Sequence, residues 1–183
     1  MANISPITFE TKNSSIVTVR SLVPGDEEAS RALALIVASE TKNTLKYQGM
    51  PLISPEKLTD VFMDYLNHPV DIYIGAFVGD EIIGSLRFFQ RNNSHPWIKH
   101  VGAFGMSVRE SYWGQGIGSR MLQIMTSHAR TTEIMRIEAE VRASNDRGIN
   151  LYQKNGFKIE GRREKAAFID GTYEDEFYIA KCF

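Results

Sequence analysis

The chain has 183 residues, of which 43% are hydrophobic and 23% charged, and its 21 basic and 22 acidic side chains leave a formal net charge of -1. This length and composition are typical of a single globular domain with its own hydrophobic core, and they exclude a disordered chain. The near-zero charge gives no overall attraction to nucleic acid or to an anionic membrane, and no run reaches the ~18 apolar residues of a membrane span.

The cysteine count and the N-terminus indicate the compartment. Cys182 is the single cysteine, so no disulfide can form within the chain, and its place near the C-terminus argues against a catalytic thiol. The first residues lack the basic start and apolar core of a signal peptide. We therefore expect a cytoplasmic protein with residues 1–183 as one domain.

The first half of the chain predicts strand, helix and helix. Residues 1–14 are polar and contain Pro6, so we expect a loosely held arm or, at most, a short extra strand. Ile16–Leu22 alternates as a strand does, and a helical pattern follows to about Ser39. A second helix is predicted over Leu52–Leu66, with Ser54 as its cap and Pro55 at its first position.

The second half is predominantly strand. The predicted strands are Ile72–Val78, Ile82–Phe89, Trp97–Val108, 135–142, Phe157–Ile169 and Tyr173–Lys181. Helices are predicted from about Ile117 to about Arg130 and over 146–154, and Asp170-Gly171 is a strong turn signal between the last two strands. This order predicts an α/β fold with a mixed central sheet and helices on both faces.

The segment Val108–Ser119 places three glycines directly before a helix. Glycines at alternate positions let a ligand approach the backbone, and the first N–H groups of a helix suit a phosphate. The segment is not a P-loop, because Ser119-Arg120 stands where Lys-Ser/Thr is required, and it does not match Gly-x-Gly-x-x-Gly. A turn that only starts a helix is the alternative.

A second segment makes the interpretation specific. Residues 135–157 read as a strand, a helix cap, a short helix and a glycine stop. Together the two segments resemble the GNAT family of acetyl-CoA-dependent N-acetyltransferases. The family signature Gln/Arg-x-x-Gly-x-Gly/Ala corresponds to 113–118, with Trp113 departing at its first position as in many ribosomal-protein-acetylating-like members. The second signature corresponds to Asn145, Leu151-Tyr152 and Gly156-Phe157, while Gly148 stands in place of the usual Ala and should weaken its helix by ~1 kcal/mol.

The resemblance implies a GNAT-like sheet of about seven strands flanked by about four helices, and it implies acetyl-CoA as co-substrate with no metal. The pantetheine arm would pair with the backbone of Met106, Ser107 and Val108. The pyrophosphate would bind at Gly114, Gln115, Gly116, Ile117, Gly118 and Ser119. Asn145 would cap the short helix and hydrogen-bond the arm. Tyr152 would be the general acid for the departing thiolate, with packing of the short helix as the alternative.

The acceptor side is less defined. Many relatives carry an acidic residue near Ala103, which this chain lacks, so Glu138 and Glu140 on the next strand are the candidates for a general base, and Glu140 is the one we assign. Solvated charges on the face of the strand are the alternative interpretation of both residues. The last hairpin is rich in acidic residues, and Asp175 is the candidate for binding a cationic amine, with a charged sheet edge as the alternative.

The sequence thus predicts an N-acetyltransferase that moves an acetyl group to a primary amine by direct attack in a ternary complex. A catalytically weak acyl-CoA-binding module and a nucleotide-binding or structural domain are the alternatives. The acceptor is left open among a protein N-terminus, a lysine, a polyamine, an aminoglycoside and another small amine, and a homodimer is left open as well.

Overall fold

A computed structural model describes residues 3–183. It contains eight strands and four helices, in the order β1 (Ile7–Glu10), β2 (Ile16–Ser21), α1 (Glu27–Glu40), α2 (Pro55–Asn67), β3 (Ile72–Val78), β4 (Glu81–Gln90), β5 (Val101–Val108), α3 (Ile117–Ala129), β6 (Arg136–Arg142), α4 (Asp146–Lys154), β7 (Lys158–Ile169) and β8 (Thr172–Cys182). The predicted α/β fold with about four helices is confirmed.

The strands form one sheet in the order β1-β2-β3-β4-β5-β6-β8-β7. All neighbours are antiparallel except β5 and β6, which run parallel. The parallel register is short, from Val101 opposite Arg136 to Ala103 opposite Glu138. This single parallel pair divides the sheet into two antiparallel halves.

Helices cover both faces of the sheet because its strands alternate their side chains. On one face, α1 and α2 bury Leu33, Val37, Leu58 and Phe62 against Phe77 and Ile82. On the other face, α3 buries Ile117, Met121, Leu122 and Met125 against a larger core that includes Ile74, Leu86 and Phe104. No helix within residues 3–183 is long and apolar enough to cross a membrane.

The N-terminal segment forms the short extra strand that the sequence analysis allowed and not a loosely held arm. Ile7–Glu10 forms β1 and pairs with β2, and the backbone N–H of Ile4 donates to Ser21 Oγ at 2.9 Å. With this strand the sheet has eight strands instead of the predicted number of about seven. Residues 1 and 2 of the predicted arm lie outside the described part of the chain.

The strand predicted over Trp97–Val108 begins later, at Val101. Its first residues form a turn instead, because the N–H groups of Ile98 and Lys99 both donate to the carbonyl of His95. Trp97 is consequently 82% exposed. The apolar character of Trp97 and Ile98 suggested a strand that local hydrogen bonding overrides.

We expect alanine substitutions at two glycines of β5 to change the stability by different amounts. A Cβ on Gly102 would lie 2.4 Å from the buried Phe88 ring, whereas a Cβ on Gly105 would meet no atom within 4 Å. We expect Gly102→Ala to lower the free energy of unfolding by about 1–3 kcal/mol through overpacking, and Gly105→Ala to change it by less than about 0.5 kcal/mol. Urea denaturation of both variants is the measurement, and equal losses would contradict the packing described.

Candidate active site

The strands β5 and β6 separate beyond Ala103 and Glu138, where their pairing ends. The N–H of Arg109 donates to Ile83 on β4 at 2.9 Å, and backbone groups alternate in direction along an antiparallel strand. The backbone groups of Met106 and Val108 therefore point away from β4 and into the opening. This stretch of β5 offers a free strand edge inside an otherwise paired sheet.

The glycine loop leads from β5 into α3. Gly114 and Gly116 have φ angles of 74° and 92°, and Gly116 is the residue that precedes the helix. The first helical hydrogen bond runs from Arg120 N to Gly116 O at 3.0 Å, so the N–H groups of 117–119 have no partner within the helix. A Cβ on Gly116 would meet no atom within 4 Å, which leaves these amides accessible to an anion.

Gly118 has a different role in the same loop. A Cβ at this position would lie 3.0 Å from Leu151 Cδ2 and 3.2 Å from Met106 Cε. The missing side chain thus lets α3 approach β5 and α4 closely. This contact places the start of α3 beside the opening between β5 and β6.

Trp113 connects the loop to the strand and to α4. Its indole Nε1 donates to the carbonyl of Val108 at 2.6 Å, and the guanidinium carbon of Arg147 lies 2.9 Å from its ring centroid. The sequence analysis treated Trp113 only as a departure from the family signature and did not identify Arg147. Sequence spacing carries no sign of a contact between residues 34 positions apart, so only the fold could show this pair.

A cleft of about 810 Å³ collects most of the predicted cofactor-binding residues. Its lining includes Met106, Ser107, Val108, Gly114, Gly116, Ile117, Gly118, Ser119, Asn145 and Tyr152, together with the cations Lys12, Arg147 and Lys154. Gln115 is not part of this lining, because its side-chain amide turns back to donate to Ser111 O at 3.1 Å. Any contribution of Gln115 is therefore limited to its backbone. The cations give the cleft a positive field suited to phosphates.

Asn145 caps α4, as predicted: its Oδ1 accepts from Gly148 N at 3.0 Å. Gly148 explains how the cap fits, because a Cβ there would lie 2.5 Å from Asn145 Nδ2. The departure from Ala that seemed only to weaken the helix therefore makes room for its cap. The same side chain also lies in the cleft.

Tyr152 lies on α4 at the inner end of the cleft and is partly buried. Its ring packs edge-on against Phe104 and Phe157, with centroid distances of 5.6 and 6.0 Å. Within residues 3–183 its hydroxyl group has no hydrogen-bond partner. Burial raises the pKa of Tyr152 to about 12, because the phenolate would lose its hydration. The hydroxyl is thus protonated at neutral pH and available to a ligand.

The two acidic candidates on β6 differ in their surroundings. Glu138 is held by Arg91 at 2.6 Å and by Arg136 at 2.9 Å, and its side chain is 20% exposed. Glu140 has one long contact, 3.6 Å to Arg91, and is 37% exposed. Glu138 therefore has two close guanidinium partners and Glu140 has one distant partner, so Glu140 is the freer of the two to bind another group.

Asp175 lies on β8 and is occupied by neighbours on β7. It accepts hydrogen bonds from Lys165 N and from Arg162 Nε, each at 2.7 Å, and these bonds lower the pKa of its carboxyl group. At the tip of the same hairpin, Asp170 forms an ion pair with Lys42, which follows α1. The hairpin and the loop after α1 therefore meet across one side of the sheet.

The raised pKa of Tyr152 predicts a pH-dependent stability. The proton is held more tightly in the folded chain than in the unfolded chain, where the pKa is about 10. This contribution to stability is complete below pH ~10 and is lost as the pH rises toward about 12. The ionisation of phenols is followed by the absorbance at 295 nm in the wild type and in Tyr152→Phe, and the curve of the variant is subtracted from that of the wild type. We expect this difference, which reports Tyr152 alone, to show no ionisation near pH 10. An ionisation with a midpoint near pH 10 would mean that the Tyr152 hydroxyl is fully hydrated.

Comparisons with known proteins agree with this geometry. A family model described as the acetyltransferase (GNAT) family matches residues 43–157. L-amino acid N-acetyltransferase AaaT from Escherichia coli (strain K12) is 30% identical over 107 residues, which cover 58% of this chain and 65% of that protein. The ribosomal-protein-serine acetyltransferase from the same organism is 33% identical over 100 residues, 54% of each protein. The matched stretch thus spans about half to two thirds of the length of these relatives.

Solved structures share the fold. The acetyltransferase of the GNAT family from Streptococcus pneumoniae superposes with a TM-score of 0.86 at 24% identity, covering 91% of this chain and 99% of that one. A GNAT superfamily phosphinothricin acetyltransferase from Sinorhizobium meliloti, in complex with AcCoA, gives 0.78 at 15% identity, covering 91% and 88%. Because the family model covers more than half of the 183 residues, the chain belongs to the acetyltransferase (GNAT) family.

Proposed function

We propose that the protein is an acetyl-CoA-dependent N-acetyltransferase that transfers the acetyl group to a primary amine by direct attack in a ternary complex. The observation that carries this proposal is the opening between β5 and β6. There the backbone edge of Met106 and Val108 lines the same cleft as the start of α3 and Tyr152. The relatives named above are acetyltransferases, which supports the same activity.

The cleft fits the co-substrate at three points. The free amides at 117–119 and the start of the α3 dipole suit a pyrophosphate. The edge of Met106–Val108 suits the amides of a pantetheine arm, which would add to β5 as a short strand. Arg147, fixed over Trp113, adds a positive charge at the mouth. Acetyl-CoA would supply the acetyl group in activated form, as a thioester.

We assign the removal of the first amine proton to Glu140. A primary amine with a pKa near ~10.4 is an ammonium ion at neutral pH and must lose a proton before it can attack. The carboxylate of Glu140 faces the side of the sheet on which Ala103 and Gly105 lie, because Glu138 stands opposite Ala103 in the register. Its one weak ion pair leaves an oxygen free to accept that proton, either directly or through a water.

We assign the protonation of the leaving sulfur to Tyr152. A phenol with a pKa of about 12 is a weaker acid than a thiol, whose pKa is near ~8.5, so its proton cannot move ahead of bond cleavage. The transfer forms the bond between the amine nitrogen and the acetyl carbon and breaks the bond between that carbon and sulfur. Tyr152 gives its proton to the sulfur and regains one from the nitrogen, and Glu140 releases its proton to water. The sum is an ammonium ion and a thioester converted to an amide, a thiol and a proton.

Asp175 remains a proposed acceptor-side residue. Its carboxylate is already bound by Arg162 and Lys165 N, so an incoming amine would compete with these groups. We therefore assign it an indirect role, in which it holds the β7–β8 hairpin that borders the acceptor side. The cytoplasmic location and the oligomeric state stay predictions.

The binding of CoA tests the proposed pyrophosphate site at the start of α3. We expect Gly116→Val to lower CoA affinity at least ~10-fold, because the new side chain would occupy the open space above the α3 amides and strain a positive φ. Gly79→Val is the matched control, since Gly79 also has a positive φ and open space but lies in the β3–β4 turn. Titration calorimetry measures both variants. Wild-type affinity in Gly116→Val would remove the α3 amides from the proposed site.

Turnover tests the proton transfers. With a panel of amines and thiol release from acetyl-CoA as the readout, we expect Tyr152→Phe and Glu140→Gln each to lower kcat by on the order of 10²-fold. The Glu140→Gln rate alone should recover as the pH approaches the pKa of the amine, because free amine then forms without a base. CoA binding with no thiol release from the wild type for any amine would support the acyl-CoA-binding module instead.

A further inference from the structure

Arg87 lies one strand away from the opening between β5 and β6 and has no carboxylate partner within residues 3–183. It lies on β4 opposite Gly105 of β5, one residue before the Met106–Val108 edge, and its side chain is on the α1/α2 face. Among residues 3–183, no Asp or Glu lies within ion-pair distance of its guanidinium, and its terminal nitrogens have no hydrogen-bond partner. Other arginines on the described β-strands, including Arg20, Arg136 and Arg142, are paired.

Aromatic rings hold the Arg87 guanidinium in one orientation. Its Nε donates to the hydroxyl of Tyr65 at 3.1 Å, and its central carbon lies 5.5 to 6.0 Å from the ring centroids of Tyr65, Tyr73 and Phe89. With Nε engaged by α2, the two terminal nitrogens are left to bind a ligand. A fork of this kind matches the two oxygens of a carboxylate.

Lys46 adds to the positive electrostatic field around Arg87. It belongs to the loop that connects α1 and α2, and the start of this loop, Thr41 to Thr44, lines the cofactor cleft. Burial lowers the pKa of Lys46, and repulsion by Arg87 adds to this effect. Asp71 is the nearby acid, but it accepts from Gln90 N at 2.8 Å and lies 3.3 Å from His68. The two cations therefore repel each other, and an anionic ligand would relieve the repulsion.

The floor between Arg87 and Glu140 is open. Gly105 is exposed, and no atom lies within 4 Å of the place where its Cβ would be. Arg87 adjoins this space on β4, and Glu140 faces it from β6 across the opening. Arg87 is one paired strand, about 4.8 Å, from Gly105, and Glu140 is two residues beyond the last β5–β6 pair on the same face, so a small molecule above Gly105 lies between the two side chains. The space above Gly105 is therefore bordered by the cation Arg87 on one side and by the anion Glu140 on the other.

We propose that the acceptor is a small zwitterion, with its carboxylate bound by Arg87 and its neighbouring amine directed to Glu140. This inference rests on the proposed acetyl transfer and narrows its substrate class to molecules of the α-amino acid type. A polyamine would bring only positive charge to Arg87 and Lys46. The N-terminus of a protein has an amide where the carboxylate is required, which leaves the Arg87 fork without a partner.

The test compares matched acceptors and matched variants. The twenty L-amino acids and their α-amides are assayed as pairs, since each pair shares one side chain and differs in the carboxylate. For the preferred amino acid, we expect the wild type to favour the acid over its amide by on the order of 10- to 100-fold in kcat/KM, as for a charge-assisted pair. Arg87→Met should abolish this preference by raising the KM of the acid, while the KM of acetyl-CoA and the rate with the amide stay unchanged. Arg87→Lys should restore part of it.

The outcomes separate this inference from the acetyl transfer itself. Thiol release with amides, peptides or polyamines but no preference for the acid would overturn the zwitterion and leave the acetyltransferase activity in place. An equal loss for acid and amide in Arg87→Met would reduce Arg87 to a structural residue. If no amine supports turnover, calorimetry of the amino acids with the CoA-bound protein still tests the role of Arg87. The inference requires that an amino acid binds to the wild type and does not bind to Arg87→Met, and any other result contradicts it.

Discussion

The site depends on one interruption of hydrogen bonding. A strand inside a sheet normally has a neighbour on each side, yet β5 loses β6 after Ala103, so the backbone groups of Met106 and Val108 that point away from β4 have no partner strand. The Val108 carbonyl accepts from Trp113 Nε1, and the other groups are left to water or a ligand, because a buried and unpaired amide costs about 1–3 kcal/mol. Gly105 lies on the α1/α2 face of β5, and Tyr152 packs on the other face against Phe104. Under the proposed function, binding and chemistry meet where the sheet is incomplete.

The remaining groups are placed by rigid elements around this opening. The close approach at Gly118 fixes the start of α3, and the Trp113–Arg147 contact fixes the start of α4 against the loop. On the opposite face, α2 and β4 fix the Arg87 guanidinium through Tyr65. Side chains held in this way lose little conformational freedom on binding, which is the condition for an oriented reaction.

Local signals predicted most of the fold and most of the residues that the structure brings together around the cleft. The Ser54-Pro55 cap and the Asp170-Gly171 turn stand where the sequence placed them, because such signals act over a few residues. Contacts between distant segments could not be predicted. The pairing of β1 with β2 and the seating of Arg147 on Trp113 depend on tertiary neighbours. Arg87 looked like an ordinary polar residue of a strand, since the absence of a partner is visible only in three dimensions.

The ion pair of Lys42 with Asp170 joins two segments 128 residues apart. Both side chains are more than two thirds exposed, and such pairs contribute about 0–1 kcal/mol and weaken with salt. A link of this strength breaks readily, so it leaves the loop after α1 and the last hairpin able to separate while the paired strands of the sheet stay in place. Under the proposed function, such a separation would let a small acceptor enter and its amide product leave.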